Sequence, residues 1–525
     1  MRTVNRAEHT ERTERTERTE RTERRRWRRR RSFWNHVATL KYKGQKPAVI
    51  PTPATTDSTV TLVPFTKKYP DIPIAGIVVA ETIPTDEIDR AKAIFTRVQH
   101  RVVRWYSPMQ AGLPPVPNDP DRALADACTP AHRACFRAPV HTPQADLGLL
   151  AVASPYASYL RSTGDTTFQW DLAHLREYEV HPGLVPLGAV VDFTLDTETG
   201  RLTPVRIEHA LGVDRPATAG WERAVRIAVC AITSDTAMIR HFNWLHLTAG
   251  PVLEAATRNH LPAQHPVRRL VWPHVFGTHS GNDLVTEVLM SNGGEFDAIY
   301  SLSHRAKCKL FEATTGAFDL ASINPVLDAA RRGVGAVSSP ARDNWTALYD
   351  VLLAHARRSL GFSYSSVEAI TDDGPLGAWI DALDRGLPHG VRTVMGAVGR
   401  APTLDGVATL IATLIYLATV EHEITGSGLW DYQLWSDRSP VRIYDNGQQV
   451  PIDVFQRLVN ANLTLNVHRT MLLDDWLPGM ASDDRGITAF VAFQQDLLRL
   501  QAQLDATAAA PWRVEPRHLK ANINA

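Results

Sequence analysis

Residues 241–274 read HFNWLHLTAGPVLEAATRNHLPAQHPVRRLVWPH, and this stretch decides how the remaining sequence is interpreted. Two histidines five residues apart, His241 and His246, lie in an apolar segment with the composition of a buried helix. A third histidine, His422, lies in another long apolar segment, TLIATLIYLATVEHEITGSG. Neutral imidazoles on buried helices are the ligands that a non-haem iron site needs. The three histidines are therefore candidate metal ligands.

The spacing of the first two histidines has a geometric consequence. In a regular α-helix, residues i and i+5 lie about 140° apart around the axis, so both rings cannot easily reach one ion. A local π-helical widening, with about 4.4 residues per turn, brings these two positions onto the same side. If His241 and His246 share a metal ion, their helix must contain such a segment.

The sequence that follows His241 and His246 resembles a sequence block of the lipoxygenase family. Residues 261–274, LPAQHPVRRLVWPH, are similar to the LPAxHPxxxLLxPH block of that family and depart from it only at Val271. The family combines this block with a His-x4-His iron helix, which contains a π-helical bulge, and with a later helix that carries a third histidine. Two upstream segments, residues 149–161 and 185–196, also resemble family segments, so the resemblance extends from about residue 70 to the C-terminus.

The resemblance implies a mainly α fold with one large helical catalytic domain, residues 76–525, that includes a small β-hairpin region. Alternating apolar residues around a Thr-Gly turn predict this hairpin at residues 187–208. Residues 32–75 are rich in Pro, Thr and Lys, which indicates a linker. Only about 75 residues precede the helical region, too few for the family's N-terminal β-sandwich of about 100 residues, so we expect that domain to be absent.

The first 31 residues form a basic leader built from Glu-Arg-Thr repeats. They contain 13 arginines and 6 acidic residues, a net charge of +7, whereas the whole chain carries +1. Because the leader has nothing apolar to bury, we expect it to be disordered. Two interpretations stay open: electrostatic attachment to nucleic acid or an anionic membrane, or a spurious extension from a wrongly assigned start codon.

Composition also predicts the compartment. No run of about 18 apolar residues predicts a transmembrane segment, and the longest candidate, residues 407–420, indicates a buried core helix. Four scattered cysteines do not form a disulfide framework. Arg30 and Arg31 resemble the start of a twin-arginine signal, but the apolar region that should follow is missing. We therefore expect a cytoplasmic protein.

The resemblance also implies a ligand set. Lipoxygenases supplement the three histidines with a side chain four residues after the third one and with the C-terminal carboxylate. Here the first position is Gly426, which has no side chain, and the second is Ala525, whose carboxylate can still coordinate. His265 and His274 belong to the block without being ligands, and we expect them to fix the turn between helices by hydrogen bonds. The expected cofactor is one non-haem iron per chain, with manganese as the alternative.

The implied reaction inserts O₂ into a polyunsaturated fatty acid and releases a hydroperoxide, a step in lipid metabolism that yields oxylipins. No catalytic side chain is expected beyond the metal centre. Two alternatives stay open because of the departures at Gly426 and Ala525: a divergent oxygenase or hydroperoxide isomerase acting on another unsaturated substrate, and a non-catalytic lipid-binding protein. The three retained histidines favour catalysis, since a binding protein has little chemical reason to keep them.

Overall fold

The structure, a computed structural model, describes residues 50–53, 59–88, 146–433, 438–445, 470–508 and 512–523, with a few single positions between these ranges. The basic leader, most of the first half of the predicted linker and Ala525 lie outside the described residues. The predictions made for the leader and for the C-terminal carboxylate therefore stay predictions.

Within the described residues, seven short strands form two antiparallel sheets. The larger sheet is a five-stranded meander in the order β3-β4-β5-β6-β7, and the smaller one pairs β1 with β2. The pairing of β5 with β6 confirms the predicted hairpin, with an irregularity in register next to Asp192. The strands are β1 Leu62–Pro64, β2 Val78–Ala80, β3 Arg161–Ser162, β4 Thr167–Asp171, β5 Ala189–Leu195, β6 Leu202–His209 and β7 Gly212–Asp214.

Part of the predicted linker is folded. Residues 59–75 include β1 and a short helix, and the side chains of Phe65, Ile72 and Ile74 are buried in the core. The linker assignment was therefore wrong for this part. The high content of Pro, Thr and Lys indicated a linker, whereas the few apolar side chains of the segment become buried when the rest of the domain packs around them.

The remaining described chain is mainly helical, which confirms the predicted fold class. The α-helices are Leu147–Ala153, Trp221–Asp235, Gly250–His260, Pro266–Val275, Thr278–Val285, Glu295–Ile299, His304–Thr315, Pro325–Arg332, Pro340–Ser363, Val367–Thr371, Gly374–Gly386, Val391–Val394, Leu404–Tyr416, His422–Thr425, Ser427–Gln433 and Asp484–Asp505, in addition to Phe65–Lys68. Three segments are π-helical, namely Thr236–Ala249, Thr286–Met290 and Leu417–Glu421. Single 3₁₀ turns are Thr85–Glu87, Pro155–Tyr159, Ala173–Glu177, Leu320–Ser322, Leu477–Met480 and Pro516–His518.

Two continuous helical segments carry the candidate ligands. The first histidine helix, residues 221–260, runs from an α-helix through a π-helical segment into a second α-helix. The second histidine helix, residues 404–433, changes pitch in the same way and is interrupted at Gly426. Thr236 and Thr419 each donate a hydrogen bond to the carbonyl four residues earlier, where the helical pitch changes.

Two large apolar clusters make up most of the core of the described chain, and they meet along the first histidine helix. Phe242 packs in the cluster that includes the five-stranded sheet. Leu245 packs in the cluster formed by the long helix Pro340–Ser363 and its neighbours. Trp244 packs against both clusters. The candidate histidines therefore lie at the boundary between the two halves of the core.

The helix Leu404–Leu429 is long and apolar enough to cross a membrane, as judged by length and composition alone. Within the fold, 83% of its most apolar stretch is buried. A core helix passes the same test, so this is weak evidence for a membrane span. The burial agrees with the prediction that residues 407–420 form a core helix.

Candidate metal centre

The structure brings His241, His246 and His422 together. The Nε2 atom of His246 lies 3.3 Å from Nε2 of His241 and 3.2 Å from Nε2 of His422. The side chains are 4%, 9% and 2% exposed, respectively. One nitrogen from each of the three rings lies within 4.8 Å of the others, so the group can hold a metal ion.

The π-helical segment explains how two histidines five residues apart share one side of their helix. Thr236–Ala249 contains both His241 and His246, as the resemblance implied. The wider turn places positions i and i+5 almost above each other, whereas an α-helix would separate them. His422 directly follows the π-helical segment Leu417–Glu421 of the second histidine helix.

A threonine orients the ring of His241. The Thr425 hydroxyl donates its single hydrogen to the Glu421 carbonyl at 2.8 Å. At the Nδ1 atom of His241, 3.1 Å away, the same hydroxyl must therefore act as acceptor. The proton of His241 then sits on Nδ1, and the lone pair on Nε2 faces the other histidines.

Asn282 orients the ring of His246 in a similar way. The side-chain amide of Asn282 donates to the backbone carbonyl of His246, and its Oδ1 lies 3.1 Å from His246 Nδ1. An amide oxygen only accepts, so Nδ1 of His246 carries the proton. The Nε2 lone pairs of His241 and His246 consequently face each other, and they repel unless a cation lies between them.

Burial keeps the candidate ligands uncharged. The pKa of His241 lies well below its usual range because burial disfavours the imidazolium, and the neighbouring His246 and Lys520 add to this effect. The pKa of His422 is likewise held well below its usual range, first by burial and then by electrostatic repulsion between its imidazolium form and His241, His246 and Lys520. Neutral imidazoles are the form that binds a metal.

A buried ion pair holds the two histidine helices in register. Arg240 and Glu421 each directly precede a candidate ligand, and Arg240 Nη2 lies 2.9 Å from Glu421 Oε1. The guanidinium also lies against the rings of Tyr159 and Trp244. Because the pair joins the two π-helical segments, it fixes the distance between the helix that carries His241 and the helix that carries His422.

Gly426 is packed so tightly that a side chain does not fit. A Cβ atom there would lie 2.6 Å from the His422 carbonyl oxygen and 2.9 Å from Cε1 of His241. The ring of His241 thus occupies the space that a fourth side-chain ligand would need. This contact gives a physical reason for the departure from the family pattern at this position.

The two histidines of the block at residues 261–274, His265 and His274, contact groups away from the three candidate ligands. Nδ1 of His265 accepts a hydrogen bond from the backbone N–H of Val267 and caps the helix Pro266–Val275, while Nε2 lies 3.0 Å from Asp373 Oδ2. His274 donates from Nδ1 to the carbonyl of Ala521 at 2.7 Å. His265 therefore defines the start of a helix, whereas His274 anchors the C-terminal segment.

The C-terminal segment runs beside the second histidine helix. Leu519, Ala521 and Ile523 are buried, and the backbone N–H of Ala521 bonds to a neighbouring segment. Between them, the Lys520 ammonium donates to Ser427 Oγ at 3.0 Å. Lys520 thus lies against the second histidine helix, and the described chain ends at Ile523, two residues before Ala525.

Sequence reasoning did not identify the groups that orient the histidines. Asn282 lies 36 residues from His246, and no local pattern connects them. For Arg240 and Glu421 a signal existed, because each is a charged residue next to a histidine in an otherwise apolar segment. Charges in such segments are almost always paired, so these two residues could have been proposed as partners.

Replacing Thr425 with valine should weaken metal binding. Valine keeps the shape of the side chain but cannot accept a hydrogen bond from the Nδ1–H group of His241, so we expect metal affinity to fall by about 10–100-fold. Competition with a chelator measures this change. Thr419→Val is the matched control, because Thr419 is also fully buried and bonds to the carbonyl of Ile415. Equal affinities in the two variants would contradict the orienting role of Thr425.

Comparison with known proteins gives relatives in sequence and in fold. No family model matches the sequence. The chain is 27% identical over 205 residues to the mouse epidermal-type polyunsaturated fatty acid (12S)/(13S)-lipoxygenase, covering 37% of this chain and 29% of the relative. It is 25% identical over 288 residues to mouse polyunsaturated fatty acid lipoxygenase ALOX12, covering 50% of this chain and 42% of the relative. The matched region thus spans less than half the length of these relatives.

The fold comparison covers more of the chain. A calcium-dependent 11R-lipoxygenase superposes with a TM-score of 0.71 at 15% identity, covering 94% of this chain and 80% of that structure. A coral 8R-lipoxygenase superposes with a TM-score of 0.71 at 12% identity, covering 89% and 79%. The chain is thus similar in sequence to lipoxygenases, and its described part has the fold of a lipoxygenase catalytic domain.

Proposed function

We propose that this protein is a non-haem iron dioxygenase that inserts O₂ into a polyunsaturated fatty acid and releases a hydroperoxide. The observation that carries the proposal is the group of three buried, convergent histidines within a lipoxygenase fold. The relatives in sequence are polyunsaturated fatty acid lipoxygenases, and one structural neighbour with a TM-score of 0.68 is a lipoxygenase in complex with arachidonate.

The residues present fit an iron ion. His241, His246 and His422 would hold it through Nε2, since imidazole suits iron and also manganese, the alternative ion. We propose the carboxylate of Ala525 as a further ligand, supported by the burial of the chain up to Ile523. Gly426 supplies no ligand, for the steric reason given above. When bound, the iron supplies one-electron chemistry at a bis-allylic carbon of the fatty acid.

The protein's own residues prepare the site for this chemistry. Thr425 and Asn282 hold the two imidazoles of the first histidine helix in the tautomer that presents Nε2. The ring of Phe242 lies 5.5 Å from the ring of His246 and contributes an apolar wall. Burial of the whole group excludes water, which suits an apolar substrate and a radical reaction.

Oxygen uptake by the iron-loaded protein tests the proposal. With linoleate, which contains a 1,4-pentadiene, we expect the O₂ consumed to equal the hydroperoxide formed. Oleate is the matched control, because it has a single double bond and no bis-allylic carbon, and it should cause no uptake. Consumption of added hydroperoxide without O₂ uptake would instead indicate an isomerase. Binding of linoleate without turnover would indicate a lipid-binding protein.

A further inference from the structure

A second group of buried, metal-ligating side chains lies outside the three histidines. It consists of Glu87, Glu254 and His279, which are 5%, 0% and 2% exposed. One ligand atom from each lies within 4.8 Å of the others. Three separate segments supply them, namely the turn Thr85–Glu87 and the helices Gly250–His260 and Thr278–Val285. Such a convergence of buried polar groups in a core requires a physical explanation.

The group carries an excess of negative charge. Arg258 faces three carboxylates: its Nη2 lies 2.9 Å from Glu87 Oε1 and 3.1 Å from Oδ2 of the partly exposed Asp86, and its Nε lies 3.4 Å from Glu254 Oε1. Burial raises the pKa of Glu254 well above its usual range, and the charge of Glu87 adds to this effect. One guanidinium therefore does not neutralise the carboxylates, and the pair Glu87–Glu254 needs a proton or another cation.

His279 is buried without a hydrogen bond to either ring nitrogen among the described residues. Its Nε2 lies 3.9 Å from Glu254 Oε2, which is too long for a hydrogen bond. Burial lowers the pKa of His279 to about 3, with contributions from Arg258 and Lys68. The ring is thus a neutral imidazole with an available lone pair next to two carboxylates, the chemical form of a metal ligand.

The carboxylates keep acceptor capacity for an ion. Glu254 accepts hydrogen bonds from the backbone N–H groups of Gly277 at 3.2 Å and His279 at 2.9 Å. Glu87 Oε2 accepts from the backbone N–H of Ser280 at 3.1 Å. Since each carboxylate oxygen offers about two lone pairs, both side chains are held in place by the backbone and can still bind a cation.

We propose that Glu87, Glu254 and His279 form a second divalent cation site, which binds a transition ion such as Mn²⁺ or Zn²⁺. The imidazole favours these ions over Ca²⁺, which takes oxygen ligands. The bound ion links the segment of residues 59–88 to the helix Thr278–Val285. That helix also carries Asn282, which holds His246. The second ion therefore stabilises the support of the candidate iron ligands.

The manganese content of four full-length proteins tests this site. Wild type, Glu254→Gln, His422→Ala and the double variant are incubated with Mn²⁺, freed of unbound ion and analysed for manganese per chain. We expect Glu254→Gln to lose one equivalent both in the wild type and in the His422→Ala background. If His422→Ala leaves the content unchanged while Glu254→Gln lowers it, the proposed iron site fails and the second site stands.

A second variant, His279→Leu, keeps the test valid if Glu254→Gln fails to fold. His279→Leu removes both unpartnered nitrogens from the core and should fold, yet it should also lose one equivalent of Mn²⁺. Addition of Mn²⁺ should raise the Tm of His422→Ala but not that of His422→Ala combined with His279→Leu, and Ca²⁺ should raise neither. Unchanged manganese content in both Glu254→Gln and His279→Leu would overturn the proposal. The buried carboxylates Glu87 and Glu254 would then be explained by a proton that they share.

Discussion

The His422→Ala variant is expected to retain less than about a tenth of the wild-type iron and to show no measurable oxygen uptake with linoleate, because it loses one of the three proposed imidazole ligands. His422 is the candidate histidine ligand on the second histidine helix, so its loss leaves only two imidazoles, both on the first helix, beside the proposed carboxylate of Ala525. Two imidazoles hold the ion less tightly, and the helices are no longer joined through it. Iron content by elemental analysis and oxygen uptake by electrode measure the two effects.

His355→Ala is the matched control for this variant. His355 is also a buried histidine, stacked on the ring of Phe493 at 4.2 Å, and burial lowers its pKa to about 3. Both alanine variants leave a cavity, and each should lower the free energy of unfolding by about 2–4 kcal/mol. Only His422→Ala should lose iron. Equal iron content in the two variants would show that His422 is structural and would favour the non-catalytic alternative.

The Gly426→Asn variant should lose metal and activity, although it introduces a potential ligand at the position where the family resemblance implies one. The new Cβ would lie within 3 Å of the His422 carbonyl oxygen and of the His241 ring. Asparagine can therefore enter only by displacing His241, so one potential ligand is gained at the expense of another. We expect iron content to fall by about tenfold or more, as for disturbed supporting groups at metal sites.

A comparison of Gly426→Ala with Gly428→Ala distinguishes steric exclusion at Gly426 from a general intolerance of larger residues in this helix. A Cβ at Gly428 would lie 3.3 Å from the Glu423 carbonyl oxygen, a contact that small shifts can relieve. Gly426→Ala should therefore lose iron and stability, about 1–3 kcal/mol for overpacking, while Gly428→Ala keeps its iron. Retained iron and higher activity in Gly426→Asn would mean that the pocket is wider than the observed packing and would refute the steric explanation.

Several features could be predicted before the fold was known, because they depend on residues that are close in the chain. The His-x4-His spacing together with the block at 261–274 indicated a π-helical segment, and the structure contains it at Thr236–Ala249. Alternation around a Thr-Gly turn predicted the hairpin of β5 and β6. The apolar run of residues 407–420, too short to span a membrane, predicted a core helix, which is largely buried. Local spacing and periodicity are sufficient for such features.

Other assignments failed or were missing because they depend on distant partners. The composition of residues 32–75 indicated a linker, but Phe65 and Ile74 are buried in an apolar cluster most of whose other members lie far along the chain. Thr425 is only three residues from His422 in the sequence, yet its role follows from a hydrogen bond to His241, 184 residues away. Gly426 looked like a missing ligand, whereas its close contact with the His241 ring shows why no side chain fits.

The amino-acid sequence thus contained the helical class, the hairpin, the π-helical turn and the three candidate ligands, all encoded by local spacing or by similarity to a family. The tertiary structure decided which nitrogen of His241 and His246 faces the site, how tightly Gly426 is packed, and that Glu87, Glu254 and His279 meet. The physical reason is that protonation, desolvation and steric exclusion depend on groups within a few ångströms in space. Those groups are brought together only when segments separated by up to nearly 200 residues pack against one another.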